Sequence, residues 1–252
     1  MIDPSISWAQ TRAVSQGFTY LDSVESTNTW LMAKNTVSSA EVVVTLNQVG
    51  GRGRLDRRWV NQRGEGLALS VVVPPILEQN AHSQALTWIP LLVGVAVVQS
   101  IQSMGIHDAS MKWPNDVLVG GRKLAGILCE VRQDGFVVAG VGINLRFSAA
   151  PPHARAISLD EALKDAPSML DDVVSGIIRR LVDLVDGDSQ QQRDAVTSAL
   201  GTIGRDVHVL GRDASSRIGR AVGLDEHGAL LVRLNDGSTR VVTSSDIEHL
   251  YQ

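Results

Sequence analysis

The strongest constraint on this chain's fold is a change of rhythm at Gly201. From Leu170, apolar residues recur at Val173, Val174, Ile177, Ile178, Leu181, Leu184 and Val185, the spacing of one buried helix face. Beyond Gly201 the runs are short and β-like: Val207 to Leu210, Arg217 to Gly223, Ala229 to Leu234 and Ser238 to Val242. Glu226-His227-Gly228 and Asn235-Asp236-Gly237 fall between the later runs, and both are hairpin signals. The reading is a large first domain over 1–200 and a small β-barrel-like domain over 201–252. A unit of that size is near the lower limit for independent folding, so it is expected to lean on the first.

The first domain mixes element types. Val42 to Thr45 and Leu67 to Val73 read as buried strands, the second stopped by Pro74-Pro75. Ser83 to Met104 reads as a buried helix ended by Gly105. Met111 to Val119 holds the turn-former Pro114-Asn115-Asp116, and Lys123 to Val131 pairs with Phe136 to Val141 around Gln133-Asp134-Gly135. Ser158 to Glu161 has capping-box spacing, Gly187-Asp188 ends the long helix, and Gln190 to Leu200 is a further helix. The opening, up to about Tyr20, carries no strong pattern. The expected class is α/β (α+β), a mixed sheet flanked by helices.

Bulk properties narrow the function. The chain has 252 residues, 44% of them hydrophobic, and a formal net charge of -4. Mild acidity speaks against general nucleic-acid affinity, so basic clusters are local features. Cys129 is the single cysteine, which excludes a disulfide framework and a cysteine zinc site; in its apolar strand it reads as a core residue. The six histidines (His82, His107, His153, His208, His227 and His249) lack metal-ligand spacing and read as structural or surface groups. Met1 to Ser15 lacks the layout of a signal peptide. Trp88 to Val98, the most apolar run, is too short to span a bilayer. A cytoplasmic location is expected, with no membrane and no nucleic-acid partner.

Four motifs carry chemistry. Gln48 to Trp59 packs four arginines and three glycines beside a tryptophan. Glycine lets backbone approach a ligand closely, and the guanidinium fork suits phosphate and carboxylate. The loop is not a P-loop, because the Gly-Lys-Ser/Thr ending is absent. Lys112-Trp113-Pro114-Asn115-Asp116 is followed by Arg122-Lys123-Leu124-Ala125-Gly126-Ile127-Leu128. Here lysines flank a rigid turn, and Asp116 offers Mg²⁺ an oxygen ligand. Ser26-Thr27-Asn28 can ring a compact polar head group. Gly140-Val141-Gly142-Ile143-Asn144 leaves room for a flat ring beside an amide. Alone, each has a blander explanation: a solvated basic loop, a core-plugging turn, a helix N-cap, a tightly packed strand. Together and in order they favour function.

That ordered set resembles the bacterial biotin protein ligases, the biotin–[acetyl-CoA-carboxylase] ligases, over residues 26 to 144, and the small C-terminal β domain matches theirs. The resemblance implies an SH3-like barrel at the C-terminus and a two-step ligase reaction. Biotin's carboxylate attacks the α-phosphate of ATP to give biotinyl-5′-AMP and pyrophosphate. A lysine of a biotin carboxyl carrier protein then displaces AMP. By the same resemblance, Ser26, Thr27, Asn28 and Gln48 line the biotin ureido end, and Arg52, Gly53 and Arg54 form a loop that orders over biotin and phosphate. Trp59 packs at the loop base, and Gly126 belongs to the pocket wall. Lys123 sits between biotin carboxylate and α-phosphate as the main electrostatic catalyst, with Arg54 and Lys112 in support. Lys112, Asn115 and Asp116 handle phosphates, Mg²⁺ or the incoming lysine, and Asn144 holds adenine. The substrates implied are ATP and biotin, with Mg²⁺.

Two departures from the family accompany this. The stretch before the first strand is too short for the winged-helix DNA-binding domain many members carry, so a ligase without repressor activity is expected. Asp56 lowers the positive charge of the loop. The rivals are a lipoate ligase and a non-catalytic biotin sensor. Monomer and homodimer stay open.

Overall fold

The computed structural model describes residues 6–59, 61–74, 81–149, 151, 154–163, 166–210, 216–242 and 247–249. Pro75 and His153 lie outside them, as do the side chains of Asp56, His82 and His249. Two sheets organise the chain. The first has seven strands in the order β1-β2-β3-β7-β6-β5-β4. They are β1 Gly17–Leu21, β2 Glu41–Thr45, β3 Gly66–Val73, β4 Ala109–Lys112, β5 Asp116–Val119, β6 Arg122–Val131 and β7 Val137–Asn144. β1 runs parallel to β2 and every other neighbouring pair is antiparallel, so the sheet is mixed, as expected.

Among the described residues six α-helices accompany the sheets: α1 Ala9–Val14, α2 Thr27–Met32, α3 Ala81–Gln102, α4 Leu159–Ala162, α5 Leu170–Asp186 and α6 Ser189–Ala199. Strand alternation sorts the first sheet's side chains onto two faces. Val42, Val44, Leu67, Leu69, Val71, Val141, Ile143, Ala125 and Ile127 join the main core with α3 and α5. The apolar stripe of α5 is what it buries there: Val173, Val174, Ile177, Ile178 and Leu181 are all essentially inaccessible, each worth about 1.5–3 kcal/mol on burial. The opposite face carries only a small second cluster, Leu31 of α2 with Val43, Val72 and Val138. Beyond that cluster it is free for function.

Helix ends follow their sequence signals. Ser26 caps α2, accepting from the amide of Thr29, and Ser158 caps α4, accepting from that of Glu161. Asp188 and Gln191 form a reciprocal capping box on α6. Gly105, at φ +98°, turns the chain out of α3. Two elements lie in the opening that carries no sequence pattern, α1 and β1. Trp8, the N-cap of α1, supplies no side-chain cap. Asp171 of α5 supplies it from across the fold, accepting from the amides of Gln10 and Thr11, each at 2.9 Å.

The second sheet is antiparallel, in the order β11-β10-β9-β8-β12: β8 Asp206–Leu210, β9 Ser216–Leu224, β10 Leu230–Leu234, β11 Thr239–Val242 and β12 Ile247–His249. This is the small SH3-like unit expected, with β12 added to the four anticipated runs. It does lean on the first: Trp88 Nε1 donates to Glu226 O at 2.9 Å and Trp113 Nε1 to Gly228 O at 3.0 Å. Among the described residues, no helix is long and apolar enough to cross a membrane.

Candidate active site

Strand register builds the site. One row across the free face reads Thr45, Ala68, Gly142, Gly126, Asp116 and Lys112, each the direct partner of the next. The adjacent row reads Val43, Ser70, Gly140 and Leu128, and the one beyond it Val72, Val138 and Glu130. Successive rows are about 7 Å apart, two residues along a strand.

The glycines are required by what lies on them. A methyl added at Gly142 would sit 2.5 Å from Trp59 Cε2, and one at Gly140 only 2.3 Å from Asn28 Oδ1. At Gly126 it would meet Trp59 Cζ3 at 3.1 Å and Lys123 Nζ at 3.5 Å. The indole of Trp59 thus lies over paired glycine backbone on β6 and β7. The loop carrying it is folded back on itself: Trp59 N donates to Gly51 O at 3.0 Å and Gly53 N to Arg57 O at 2.7 Å. Arg54 begins a 3-10 turn over Arg54–Asp56. Within it Leu55 is left-handed, at φ +54°, an uncommon conformation for a branched side chain.

Polar side chains gather where α2 starts. Gln48 Oε1 accepts from Thr27 N at 2.9 Å and from Thr27 Oγ1 at 3.2 Å. Ser70 Oγ lies 2.7 Å from Thr27 Oγ1 and 2.6 Å from Asn28 Oδ1. Asn28 Nδ2 donates to Leu128 O at 3.0 Å and to Glu130 Oε2 at 2.8 Å. Arg52 Nη2 reaches both Glu130 oxygens, at 2.9 and 3.1 Å, and Thr29 Oγ1 at 3.3 Å.

The other end is charged. Lys123 Nζ is 2.6 Å from Asp116 Oδ1 and 5.6 Å from the Trp59 ring centre. A bulge puts it there. The register slips between Val117 and Leu118, which face Ala125 and Lys123 in turn. Leu124 is thereby left without a partner, and it faces the core, fully buried. Strict alternation would have put Lys123 on the core face with Ala125; the extra residue turns it toward Gly126. Lys112, directly opposite Asp116, shares this end.

Two predicted residues are held by their own chain. Asn144, only 3% exposed, donates from Nδ2 to the carbonyls of Lys123 and Ile157, each at 3.2 Å. Asn115 Nδ2 donates to Ile127 O at 2.8 Å, tying the turn between β4 and β5 to β6. The structure thus brings Ser26, Thr27, Asn28, Gln48, Arg52, Trp59, Lys123, Gly126 and Asp116 onto one face. Sequence reasoning missed Ser70 and Glu130. Each left a signal: a lone hydroxyl in the apolar run of β3, and an acid two residues on from Leu128 along the strand of Gly126.

The face thus joins amides, hydroxyls and the Arg52–Glu130 pair at one end to the Lys123–Asp116 pair at the other, across a glycine floor covered by Trp59. Residues 20–148 match the biotin/lipoate A/B protein ligase family, and residues 202–250 match the biotin protein ligase C-terminal domain. The chain belongs to that family, among its biotin protein ligases. The biotin–[acetyl-CoA-carboxylase] ligase of Mycobacterium tuberculosis is 31% identical, over 99% of this chain and 92% of the relative. The bifunctional ligase/repressor BirA of Bacillus subtilis is 28% identical, over 95% of this chain and 76% of its own. The solved biotin protein ligase from Aquifex aeolicus, in complex with biotin and ATP, superposes with a TM-score of 0.75 at 27% identity, covering 94% of this chain and 100% of that one.

Proposed function

We propose that the protein activates biotin with ATP as biotinyl-5′-AMP and transfers it to a lysine of a biotin carboxyl carrier protein. The observation that carries this reading is the glycine-floored face, with Gly126 and Gly142 under Trp59 and the Lys123–Asp116 pair beside them. Thr27, Asn28 and Gln48 receive the ureido head, whose carbonyl and N–H groups need fixed partners. Ser26 caps the helix that presents Thr27 and Asn28. Gly126 and Gly142 make room for the Trp59 indole on the sheet, and Trp59 supplies an apolar wall for the ring system.

Joining a carboxylate to a triphosphate requires their repulsion to be cancelled by fixed positive charge. Lys123, with Arg52, Arg54 and Lys112, supplies it. Lys123 approaches the anions by exchanging Asp116 for them. Gly53 lets the arginine loop fold close over the adenylate and exclude water. Asn144 supports the nucleotide end by holding the Lys123 backbone, and Asn115 holds the turn carrying Asp116. Mg²⁺ usually binds through one or two carboxylates plus substrate phosphates. Asp116, a partly exposed carboxylate beside Lys123, would hold it together with the phosphates. The ion would neutralise triphosphate charge there. We place the protein in the cytoplasm, where the carrier protein and ATP meet, and take 201–252 as the second domain.

Biotin-dependent exchange of labelled pyrophosphate into ATP tests the first half-reaction. Exchange with biotin and none with lipoate is expected. Binding of biotin without exchange would make the protein a sensor and withdraw the role given to Lys123.

A further inference from the structure

We infer that Glu130 is a positioning residue that couples the head-group pocket to the arginine loop; this rests on the biotin ligase reading above. Glu130 lies on β6 one row beyond Leu128, on the free face, with its side chain 24% exposed. One carboxylate oxygen accepts from Asn28 Nδ2 at 2.8 Å, and both accept from Arg52 Nη2, at 2.9 and 3.1 Å.

The first contact sets the amide of Asn28. With Nδ2 directed at Glu130 and Leu128 O, its Oδ1 must face Ser70 and accept the one hydroxyl hydrogen of that serine. Ser70 Oγ lies 2.7 Å from Thr27 Oγ1, and Gln48 Oε1 accepts from the Thr27 amide. A run of hydrogen bonds thus links Glu130 to Asn28, Ser70 and Thr27 on α2 and β3. Such chains polarise and orient one another in a part-buried site. The second contact fixes the guanidinium of Arg52, which stands at the start of the loop and whose side chain is otherwise half exposed. A carboxylate suits both jobs, offering two oxygens to the amide and a charge-assisted pair to the cation. Glu130 stands two strand rows from the row that holds Gly126 and Asp116. It acts through Asn28 and Arg52, so the pocket and the loop share one support.

The test compares wild type with Glu130→Gln, Glu130→Asp, Arg52→Ala and the double variant Glu130→Gln/Arg52→Ala. Readouts are biotin-dependent pyrophosphate exchange, with KM and kcat separated, and trypsin cleavage at the arginines of residues 52–58. Glutamine keeps an acceptor for Asn28 and removes the charge that holds Arg52. Glu130→Gln is expected to raise the biotin KM about fivefold, with kcat at saturation changed less than about twofold, as for a half-exposed charged hydrogen bond. Trypsin should nick its loop faster than in wild type, and Glu130→Asp should recover most of the resistance. The double variant should be no worse than Arg52→Ala, because both changes remove one interaction. Additive effects, or an unchanged KM and unchanged cleavage, would overturn the proposal. Should Glu130→Gln not fold, Glu130→Asp with wild-type KM and cleavage upholds the charge requirement, and a fall in kcat alone refutes it. Absence of exchange in wild type would instead overturn the ligase reading.

Discussion

At the residue scale, the site contrasts side chains that act with glycines that make room. In the proposed reaction Lys123, paired here with Asp116, is the cation that meets the reacting groups. Replacing it with alanine is expected to slow pyrophosphate exchange by about 10²–10³-fold, the usual loss when one preorganised charge leaves a site. Biotin affinity, measured by calorimetry, should fall much less, because the charge matters most in the transition state. Gly142 acts by omission. Gly142→Ala places a methyl 2.5 Å from the Trp59 indole, and the ring must move. Overpacking of this kind costs about 1–3 kcal/mol, so a raised biotin KM and a lowered melting temperature are expected together. Both residues stand in motifs legible in the sequence. Why Gly142 must be glycine was not legible, because Trp59 is far away along the chain.

At the element scale, α2 presents Thr27 and Asn28, the residues proposed to receive the head group, and its far end is held by Arg132. That guanidinium, from β6's end, donates to the carbonyls of Leu31 at 2.7 Å, Met32 at 3.1 Å and Lys34 at 3.0 Å. They lie at and just past the C-terminal end of α2, where intrahelical donors run out, although Leu31 O also accepts from the amide of Lys34. Arg132→Met should cost about 2–4 kcal/mol in denaturant midpoint experiments, since buried acceptors lose a charged donor. A second support is Glu65, just before β3. Its carboxylate accepts from Ser148, through hydroxyl and amide. The Ser148 hydroxyl, foremost, holds the Glu65 carboxyl below the ordinary glutamate range. A depressed carboxyl stabilises the fold above its unfolded value, and the gain is lost as pH falls through the folded value. Urea midpoints should therefore drop on acidification through the carboxylate range, and Glu65→Gln should make that drop shallower. Neither support was legible, because hydrogen bonds between segments leave no local pattern.

At the scale of the whole molecule, two tryptophans from the first sheet's domain grip one turn of the second. Trp88 on α3 and Trp113 beside Lys112 donate to the carbonyls of Glu226 and Gly228. The Trp113 amide also donates to Thr202 Oγ1 at 2.9 Å. The small sheet thus anchors the turn that carries Lys112 and Asp116. Trp113→Phe keeps an aromatic ring but loses the second ring of the indole with its N–H, leaving a buried carbonyl unpaired, at about 1–3 kcal/mol, and a gap in the packing that adds to the cost. The ATP KM is expected to rise while the biotin KM stays close to wild type. Equal changes in both would make the contact a general support of the fold.

Much of this protein was determined locally. Strand runs, helix stripes, caps and the Gly135, Gly228 and Gly237 turns all follow from short-range periodicity and backbone preference. The break at Gly201 foretold a second β unit, and the clustered motifs foretold the face on which they meet. Tertiary structure alone decided three things. It formed α1, whose cap comes from Asp171 on a distant helix, and β1, which takes its register from β2. It turned the Asn144 and Asn115 amides onto neighbouring backbone. And it rotated Lys123 onto the functional face through one extra residue in β6. Alternation read along the sequence would put Lys123 in the core. A bulge exists only in the pairing of two strands, so the position of the central cation is a property of the folded sheet.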